Sequence, residues 1–186
     1  MNKIKLFALS TAAATCVMLA VVYVQRPGSR PAPVLVSQSG SVYVSPQISL
    51  RDISRYMLRY HIRTIVDMRP DGEAPDQPNH LQIEEFVKAQ DIGFSYIPVP
   101  HESIPPATVD ELNDVLASAQ KPVVLFCRTG RRAVRTFALA EASRLGGPGS
   151  ETILAMVKEA GFSAEDLRPE IVTRISARTA APEAKR

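Results

Sequence analysis

Short apolar runs and longer amphipathic segments alternate along most of the chain. The apolar runs are rich in β-branched residues and only a few residues long, which is typical of buried strands. They lie at residues 41–44, 63–68, 94–99 and 123–126. The amphipathic segments repeat their apolar residues at helical spacing. They lie at residues 50–61, 81–90, 109–119, 132–145, 150–161 and 170–175.

Strict alternation of strand and helix predicts an α/β fold. We expect a mostly parallel central sheet of about four to five strands with helices on both faces. Functional sites in such folds open where the carboxyl ends of the strands meet. Thr108 and Ser150 are expected to cap the helices that follow them, and Gly146-Gly147-Pro148 is expected to end the fourth helix.

The N-terminal segment is apolar and carries no charge between Leu6 and Val24. A segment of this length can cross a bilayer, so residues 1–25 are predicted to form a signal anchor. Cleavage near Ala12-Ala13-Ala14 is the alternative, and it would give a secreted protein. The flanking positive charges favour only slightly an outside domain, which predicts a single-pass protein of a bacterial inner membrane with a periplasmic domain.

Composition fits one folded domain with an appendage, since 45% of the 186 residues are hydrophobic and 22% are charged. A Pro-rich linker is predicted at residues 26–40, the domain at 41–177 and a disordered tail at 178–186. The domain contains a single cysteine, Cys127, and therefore no internal disulfide. The sequence leaves the oligomeric state open.

Nucleic acid is not predicted as a partner. The net charge is only +3, the basic residues are scattered except around Cys127, and no aromatic residues are interleaved with them. No metal cluster is predicted either, because His61 and His80 are far apart in sequence and have no supporting ligands. No cofactor is expected.

The candidate chemistry lies in the loop that follows the strand at Val123–Phe126. Cys127 ends this strand, and a short loop of Arg128, Thr129, Gly130 and Arg131 leads to a helix starting at Arg132. Backbone N–H groups of such a loop and the helix N-terminus favour a bound oxyanion. The same field stabilises a thiolate, so Cys127 is predicted to be a nucleophile.

A cysteine at the end of a buried strand can also be a small core residue without chemistry. That interpretation explains the thiol but not the cluster of basic side chains near it. Arginine matches the geometry of phosphate or sulfonate groups, which favours an oxyanion pocket. The cluster comprises Arg128, Arg131, Arg132 and Arg135.

Four motifs together resemble the beta-lactamase hydrolase-like phosphatase domain family. They are Ser45-Pro46-Gln47, the run from Thr64 to Glu73 that includes Arg-Pro-Asp-Gly-Glu, Tyr96-Ile97-Pro98-Val99, and the loop from Cys127 to Arg132. The resemblance covers about residues 41–175. It implies a fold similar to that of dual-specificity cysteine phosphatases, although some members are labelled sulfurtransferases.

The resemblance implies a nucleophile at Cys127 and an arginine clamp at Arg132, with Arg128, Thr129, Gly130 and Arg131 binding the oxyanion. The loop length departs from the phosphatase pattern, which places five residues between cysteine and arginine and here would reach Ala133. Arg132 has the four-residue spacing of the rhodanese loop, whose cysteine carries a persulfide. The substrate is therefore expected to be a phosphate ester or, alternatively, a sulfur donor.

The general acid of a phosphatase also differs here. The family pattern places an aspartate on the loop after the strand that ends at Val99, where this chain has Pro100-His101-Glu102. His101 or Glu102 can supply the proton if the pKa is suitable. Both residues can equally be exposed loop residues without a catalytic role.

Arg69 has two interpretations. It follows a strand end on the site's side of the sheet, which would place its charge at the pocket mouth, or it pairs with Asp71 or Glu73 and stiffens the turn. Three functions remain open for the whole chain. They are a membrane-tethered cysteine phosphatase, which we favour, a persulfide-forming sulfurtransferase, and a non-catalytic anion-binding module.

Overall fold

A computed structural model of the protein describes residues 32–37 and 39–180. Five strands form one sheet in the order β1-β2-β5-β3-β4, in which β1 is antiparallel to β2 and the other neighbours are parallel. The strands are β1 (Val34–Ser37), β2 (Val42–Ser45), β3 (Thr64–Asp67), β4 (Gly93–Tyr96) and β5 (Val123–Phe126). Strand β5 lies at the centre of the sheet, between β2 and β3.

Six α-helices surround the sheet within the described residues. They are α1 (Leu50–Tyr60), α2 (His80–Lys88), α3 (Pro106–Ser118), α4 (Arg131–Ser143), α5 (Ser150–Glu159) and α6 (Arg168–Ala180), and a 3₁₀ turn (Glu165–Leu167) precedes α6.

Side chains of the central strand alternate between two hydrophobic clusters, because successive residues of a strand point to opposite faces. Val124 and Phe126 pack with α1 and α2 on one face, whereas Val123 and Leu125 pack with α3 to α6 on the other. The predicted α/β class, with a mostly parallel sheet covered on both faces, is confirmed.

Strand β1 corrects the predicted extent of the linker, since Val34–Ser37 lies inside residues 26–40. Val36 is 6% exposed and belongs to the core, which is why this segment pairs with β2. The prediction missed it because the prolines and glycine of this stretch dominate its composition.

Helix α6 is longer than predicted, and the expectation of disorder from residue 178 onward is wrong for residues 178–180. The guanidinium of Arg178 donates hydrogen bonds of 2.7–3.1 Å to four backbone carbonyls that follow or end α4. A basic side chain at this place satisfies carbonyls that the helix leaves unpaired. Residues 181–186 lie outside the described part.

Both predicted helix caps are shifted. Pro105 is the N-cap of α3, and Thr108 is a buried residue within its first turn. Gly149 is the N-cap of α5, so Ser150 is its first helical residue. Proline at the start of a helix loses no hydrogen bond, which explains why α3 begins earlier than Thr108.

Within the described ranges, no helix combines the length and apolar character needed to cross a bilayer. The predicted anchor at residues 1–25 and its alternative cleavage site lie outside these ranges.

Candidate active site

Cys127 directly follows the central strand and has no exposed surface. It lies on the same face of the sheet as Leu125 and contributes to the cluster formed with α3 to α6. The strands on either side end at the same level, since Phe126 pairs with Ser45 of β2 and with Asp67 of β3. The thiol therefore lies at the carboxyl end of three parallel strands, as predicted for sites in such folds.

Gly130 makes the turn from the loop into helix α4. Its φ of +88° is in the left-handed region, and a Cβ atom here would lie 3.0 Å from Phe162 and 3.2 Å from Val44. Only glycine fits both the conformation and the space. Gly130 is also the N-cap of α4 and has no side chain that could bind the first amides of the helix. These amides, with the positive end of the helix dipole, favour an anion at this end of α4.

Arg132 lies in the first turn of α4 and is held by two partners from other parts of the chain. Its Nη1 lies 2.6 Å from Oε1 of Glu73 and 2.6 Å from the carbonyl oxygen of Val99, and its Nη2 lies 2.7 Å from Oε2 of Glu73. Both side chains are only 12% exposed. This bidentate pair fixes the plane of the guanidinium.

The Arg132 guanidinium also interacts with the Cys127 thiol. Burial acts to lower the pKa of Arg132, but the hydrogen bond to Glu73 and the interactions with Cys127 outweigh it and raise this pKa. Arginine has five N–H donors, and Glu73 and Val99 use three of them. The Nε–H and one Nη2–H remain, and these form one edge of the guanidinium. That edge is available to the thiol and to a bound anion.

Glu73 is contacted by three basic side chains. Besides Arg132, it binds Nε of Arg69 at 3.0 Å and lies 3.4 Å from Nε2 of His101. The hydrogen bond from Arg132 is the main cause that lowers the pKa of Glu73 to about 2, and Arg69 and His101 lower it further. The carboxylate is therefore ionised throughout the physiological pH range. Sequence reasoning considered Glu73 only as a turn partner, although it ends the Arg-Pro-Asp-Gly-Glu motif.

Arg69 does not lie at the pocket mouth, and that prediction is wrong. The residue is 4% exposed, and its Nη1 donates a 2.8 Å hydrogen bond to Oε1 of Gln47. The backbone N–H of Gln47 in turn donates to the carbonyl of Arg128 at 3.2 Å. Arg69 therefore links the segment before α1 to Glu73 and, through Gln47, to the cysteine loop. The alternative interpretation, a pair with Glu73, describes its observed contact.

A cavity of about 710 Å³ opens beside the loop. Six of the predicted site residues line it, namely His101, Glu102, Arg128, Thr129, Arg131 and Arg132. Cys127 and Gly130 are buried and do not line it. His101 and Glu102 are exposed and line the same cavity as the arginines.

Asp67 is a buried carboxyl on the other face of the sheet, at the end of β3. It is 1% exposed, and its Oδ1 accepts a 2.9 Å hydrogen bond from the backbone N–H of Arg69. No hydrogen-bond partner of Oδ2 is found among the described residues. Burial is the main cause that raises the pKa of Asp67 to about 7. Sequence reasoning did not single it out, because its burial depends on the packing around β3.

Residues 34–144 match a known protein family. The matching family is described as "Beta-lactamase hydrolase-like protein, phosphatase-like domain". A beta-lactamase hydrolase-like protein of Agrobacterium fabrum is 34% identical over 80 residues, which cover 43% of this chain and 19% of that protein. The chain thus matches less than a fifth of the length of its curated relatives.

Comparison with solved structures gives the same fold. A candidate phosphatase of Neisseria meningitidis Z2491 has a TM-score of 0.64 and 26% identity, with 76% of this chain and 96% of that chain covered. The core catalytic domain of a PP-IP phosphatase from Saccharomyces cerevisiae, solved with citrate, has a TM-score of 0.55 and 15% identity, with coverage of 75% and 88%. The second likeness concerns the fold alone.

Proposed function

Because this chain belongs to the family of beta-lactamase hydrolase-like proteins with a phosphatase-like domain, we propose that it hydrolyses phosphate esters through a covalent intermediate on Cys127. The observation that carries the proposal is the placement of Arg132. Its guanidinium interacts with the thiol, is held by Glu73, and lines a cavity with further arginines. This arrangement supplies a nucleophile and an oxyanion clamp at one place.

In the first step, the Cys127 thiolate attacks phosphorus in line with the ester oxygen. A sulfur–phosphorus bond forms and the phosphorus–oxygen bond to the leaving group breaks. The free edge of Arg132 and the first amides of α4 hold the non-bridging oxygens. The leaving oxygen takes a proton from His101 or Glu102, the two acidic groups of the facing loop.

In the second step, water attacks the phosphocysteine, which releases inorganic phosphate and regenerates the thiolate. The residue that donated its proton in the first step accepts one from this water. Cys127 has no exposed surface, so the atoms above the thiol must move apart before a phosphoryl group can reach it.

A sulfurtransferase is the second candidate, and it is favoured by the loop length together with the burial of the thiol. Four residues separate Cys127 from Arg132, and a sulfane sulfur on Cys127 needs less room than a tetrahedral phosphate. In this reaction the thiolate attacks the outer sulfur of a donor such as thiosulfate, forms a persulfide and releases sulfite. An acceptor thiolate then removes that sulfur, and no general acid is required.

The intact mass of the full chain, together with the amount of phosphate released, distinguishes these functions. The protein is incubated separately with thiosulfate and with an aryl phosphate, alongside Cys127→Ser. We expect phosphate release that is lost in Cys127→Ser, without a stable sulfur adduct. A stable gain of one sulfur that needs Cys127 favours the transferase. Phosphate binding without either reaction favours a non-catalytic anion-binding module.

We further propose that residues 1–25 tether the domain to a bacterial inner membrane on its periplasmic side. The uncharged apolar segment from Leu6 to Val24 supports this. The test is fractionation of cells that express the full chain. Recovery in the membrane fraction, with protease sensitivity from the periplasm, is expected. A soluble product shortened near Ala12 to Ala14 indicates cleavage instead.

A further inference from the structure

We propose that the cavity beside Cys127 accepts a small organic substrate with two phosphoryl groups, of which one reacts at Cys127 and the other binds Arg128 and Arg131. This inference rests on the proposed function and narrows its substrate class. The observation behind it is that some arginines that line the cavity have a carboxylate partner and others do not.

Two of the four arginines that line the cavity already have a carboxylate partner. Arg132 is bound to Glu73 through both carboxylate oxygens. Arg135 donates to both carboxylate oxygens of Asp166, at 2.6 and 2.7 Å, and its side chain is only 14% exposed. Bidentate pairs of this kind hold a guanidinium in one orientation. The edge of Arg132 that remains free serves the phosphoryl group that reacts, so the second phosphoryl group is left to the other two arginines.

The other two arginines have no such partner. Arg128 and Arg131 are exposed, and neither guanidinium has an ion pair or hydrogen-bond acceptor within the part of the chain that the structure describes. Of the carboxylates that line the cavity, Glu170 is bound to Arg174 at 2.9 Å. Among the described residues that line the cavity, Glu102 is the one carboxylate left without a basic partner. Asp166, whose pKa Arg131 helps to lower, is already bound to Arg135 through both oxygens. The positive charges of Arg128 and Arg131 therefore exceed the negative charge left near them.

The backbone that carries these arginines is held in place, although their side chains are unpaired. The carbonyl of Arg128 accepts a hydrogen bond from Gln47, and Gly130 between the two arginines turns the chain into α4. Arg128 follows the nucleophile directly, and Arg131 begins the helix. Both guanidinium groups therefore belong to the same short segment as Cys127. A substrate with two phosphoryl groups can place one at Cys127 and the other at these two arginines.

The size of the cavity indicates a ligand larger than a phosphoryl group. Its volume of about 710 Å³ lies in the range of roughly 300–1,000 Å³ that is usual for small-molecule pockets. Pro100, Ile104 and Leu167 form an apolar part of its wall. An organic scaffold can lie on this wall and join the two phosphoryl groups.

A matched pair of substrates tests the inference, namely phenyl phosphate and 1,4-phenylene bisphosphate. For the full chain, kcat/KM should be at least about tenfold higher for the bisphosphate. Its second phosphoryl group can accept charge-assisted hydrogen bonds from Arg128 and Arg131, and such bonds are stronger than those between neutral groups. Arg128→Gln and Arg131→Gln should each reduce the ratio of the two kcat/KM values severalfold. The double variant should bring it close to two, the statistical value for a substrate with two equivalent phosphoryl groups. Arg51→Gln, which removes the same charge from an exposed position of helix α1, should leave the ratio unchanged. A ratio of about two or less in the wild type, or an unchanged ratio in the double variant, overturns the inference.

Binding to Cys127→Ser separates this inference from the proposed function. Calorimetry with the same two compounds should again show tighter binding of the bisphosphate, and the difference should shrink as salt is added. If neither compound is hydrolysed by the wild type but the bisphosphate binds more tightly through Arg128 and Arg131, the proposed function fails and the anion site stands. If both compounds are hydrolysed but bind equally well, the proposed function stands and the inference of a second anion site fails.

Discussion

Glu73 binds Arg132 through both carboxylate oxygens, although the two residues are separated by 59 positions in the chain. The pair joins the turn after β3 to the first turn of α4, and it sets the orientation of the arginine next to the buried thiol. Because Arg69 and His101 also contact Glu73, one carboxylate connects three basic side chains of the site.

Substitution Glu73→Gln should reduce kcat more than it raises KM. The amide keeps the size of the side chain but presents one acceptor and one donor group, so it cannot hold both terminal nitrogens of Arg132. An arginine misplaced by a fraction of an ångström loses much of its stabilisation of the transition state, and we expect a loss in kcat of about 10²-fold. Steady-state kinetics with an aryl phosphate measures the effect.

The control for this variant is Glu84→Gln. Glu84 pairs with Lys88 on helix α2 at 2.7 Å and does not line the cavity. It should leave kcat unchanged, as is usual for an exposed ion pair. A Glu73→Gln enzyme with kcat within twofold of the wild type contradicts a positioning role for Glu73.

Ionisation of the buried Asp67 carboxyl should lower the free energy of unfolding as pH rises. Burial raises its folded-state pKa to about 7, whereas the unfolded value is about 3.9. Between these two values the native state binds the additional proton, so the free energy of unfolding falls with increasing pH. At about 1.4 kcal/mol per pH unit the loss is at most about 4 kcal/mol.

Substitution Asp67→Asn should flatten this dependence. The amide cannot ionise, and it retains an oxygen for the backbone N–H of Arg69. Urea unfolding of the full chain between pH 4 and pH 8 measures the slope in wild type and variant. Asp114→Asn, which removes an exposed carboxylate from helix α3, should show the wild-type slope. A wild-type slope that persists in Asp67→Asn assigns the pH dependence to other groups.

Substitution Gly130→Ala should both destabilise the protein and impair the site. The left-handed φ of +88° and the approach to Phe162 and Val44 act together at this position, and such strain costs about 1–3 kcal/mol. Thermal unfolding and kcat/KM should both decrease, because the loop moves relative to Arg132.

Two other glycines serve as controls for Gly130. A Cβ atom at Gly161 meets nothing within 4 Å, but φ there is +84°, so Gly161→Ala measures the conformational strain alone. Gly149 has neither a close neighbour nor a positive φ, and Gly149→Ala should have little effect. Equal loss of stability in Gly130→Ala and Gly161→Ala would mean that the contacts with Phe162 and Val44 add nothing.

Much of the fold follows from local patterns. The run Val123–Phe126 forms a strand with alternating contacts on both faces, and the amphipathic segments form the helices that cover it. Errors occur where a partner distant in sequence decides the structure. Val34–Ser37 forms a strand because β2 lies beside it. Residues 178–180 are helical, and Arg178 in this stretch binds carbonyls at the end of α4.

The sequence alone predicts the chemical character of the candidate site. A thiol at the end of a buried strand, arginines in the next turns and glycine at the turn are encoded within six consecutive positions, 127–132, so local backbone geometry is enough to predict an anion-binding loop. Only the tertiary structure decided which arginines are paired and which are free. Arg69 meets Glu73 only four positions away, a pair that the sequence already offered. Arg132 meets Glu73 across 59 positions and Arg135 meets Asp166 across 31, because the folded chain brings together groups that are distant along the sequence. Charge pairing depends on distances in space, and sequence spacing does not specify them.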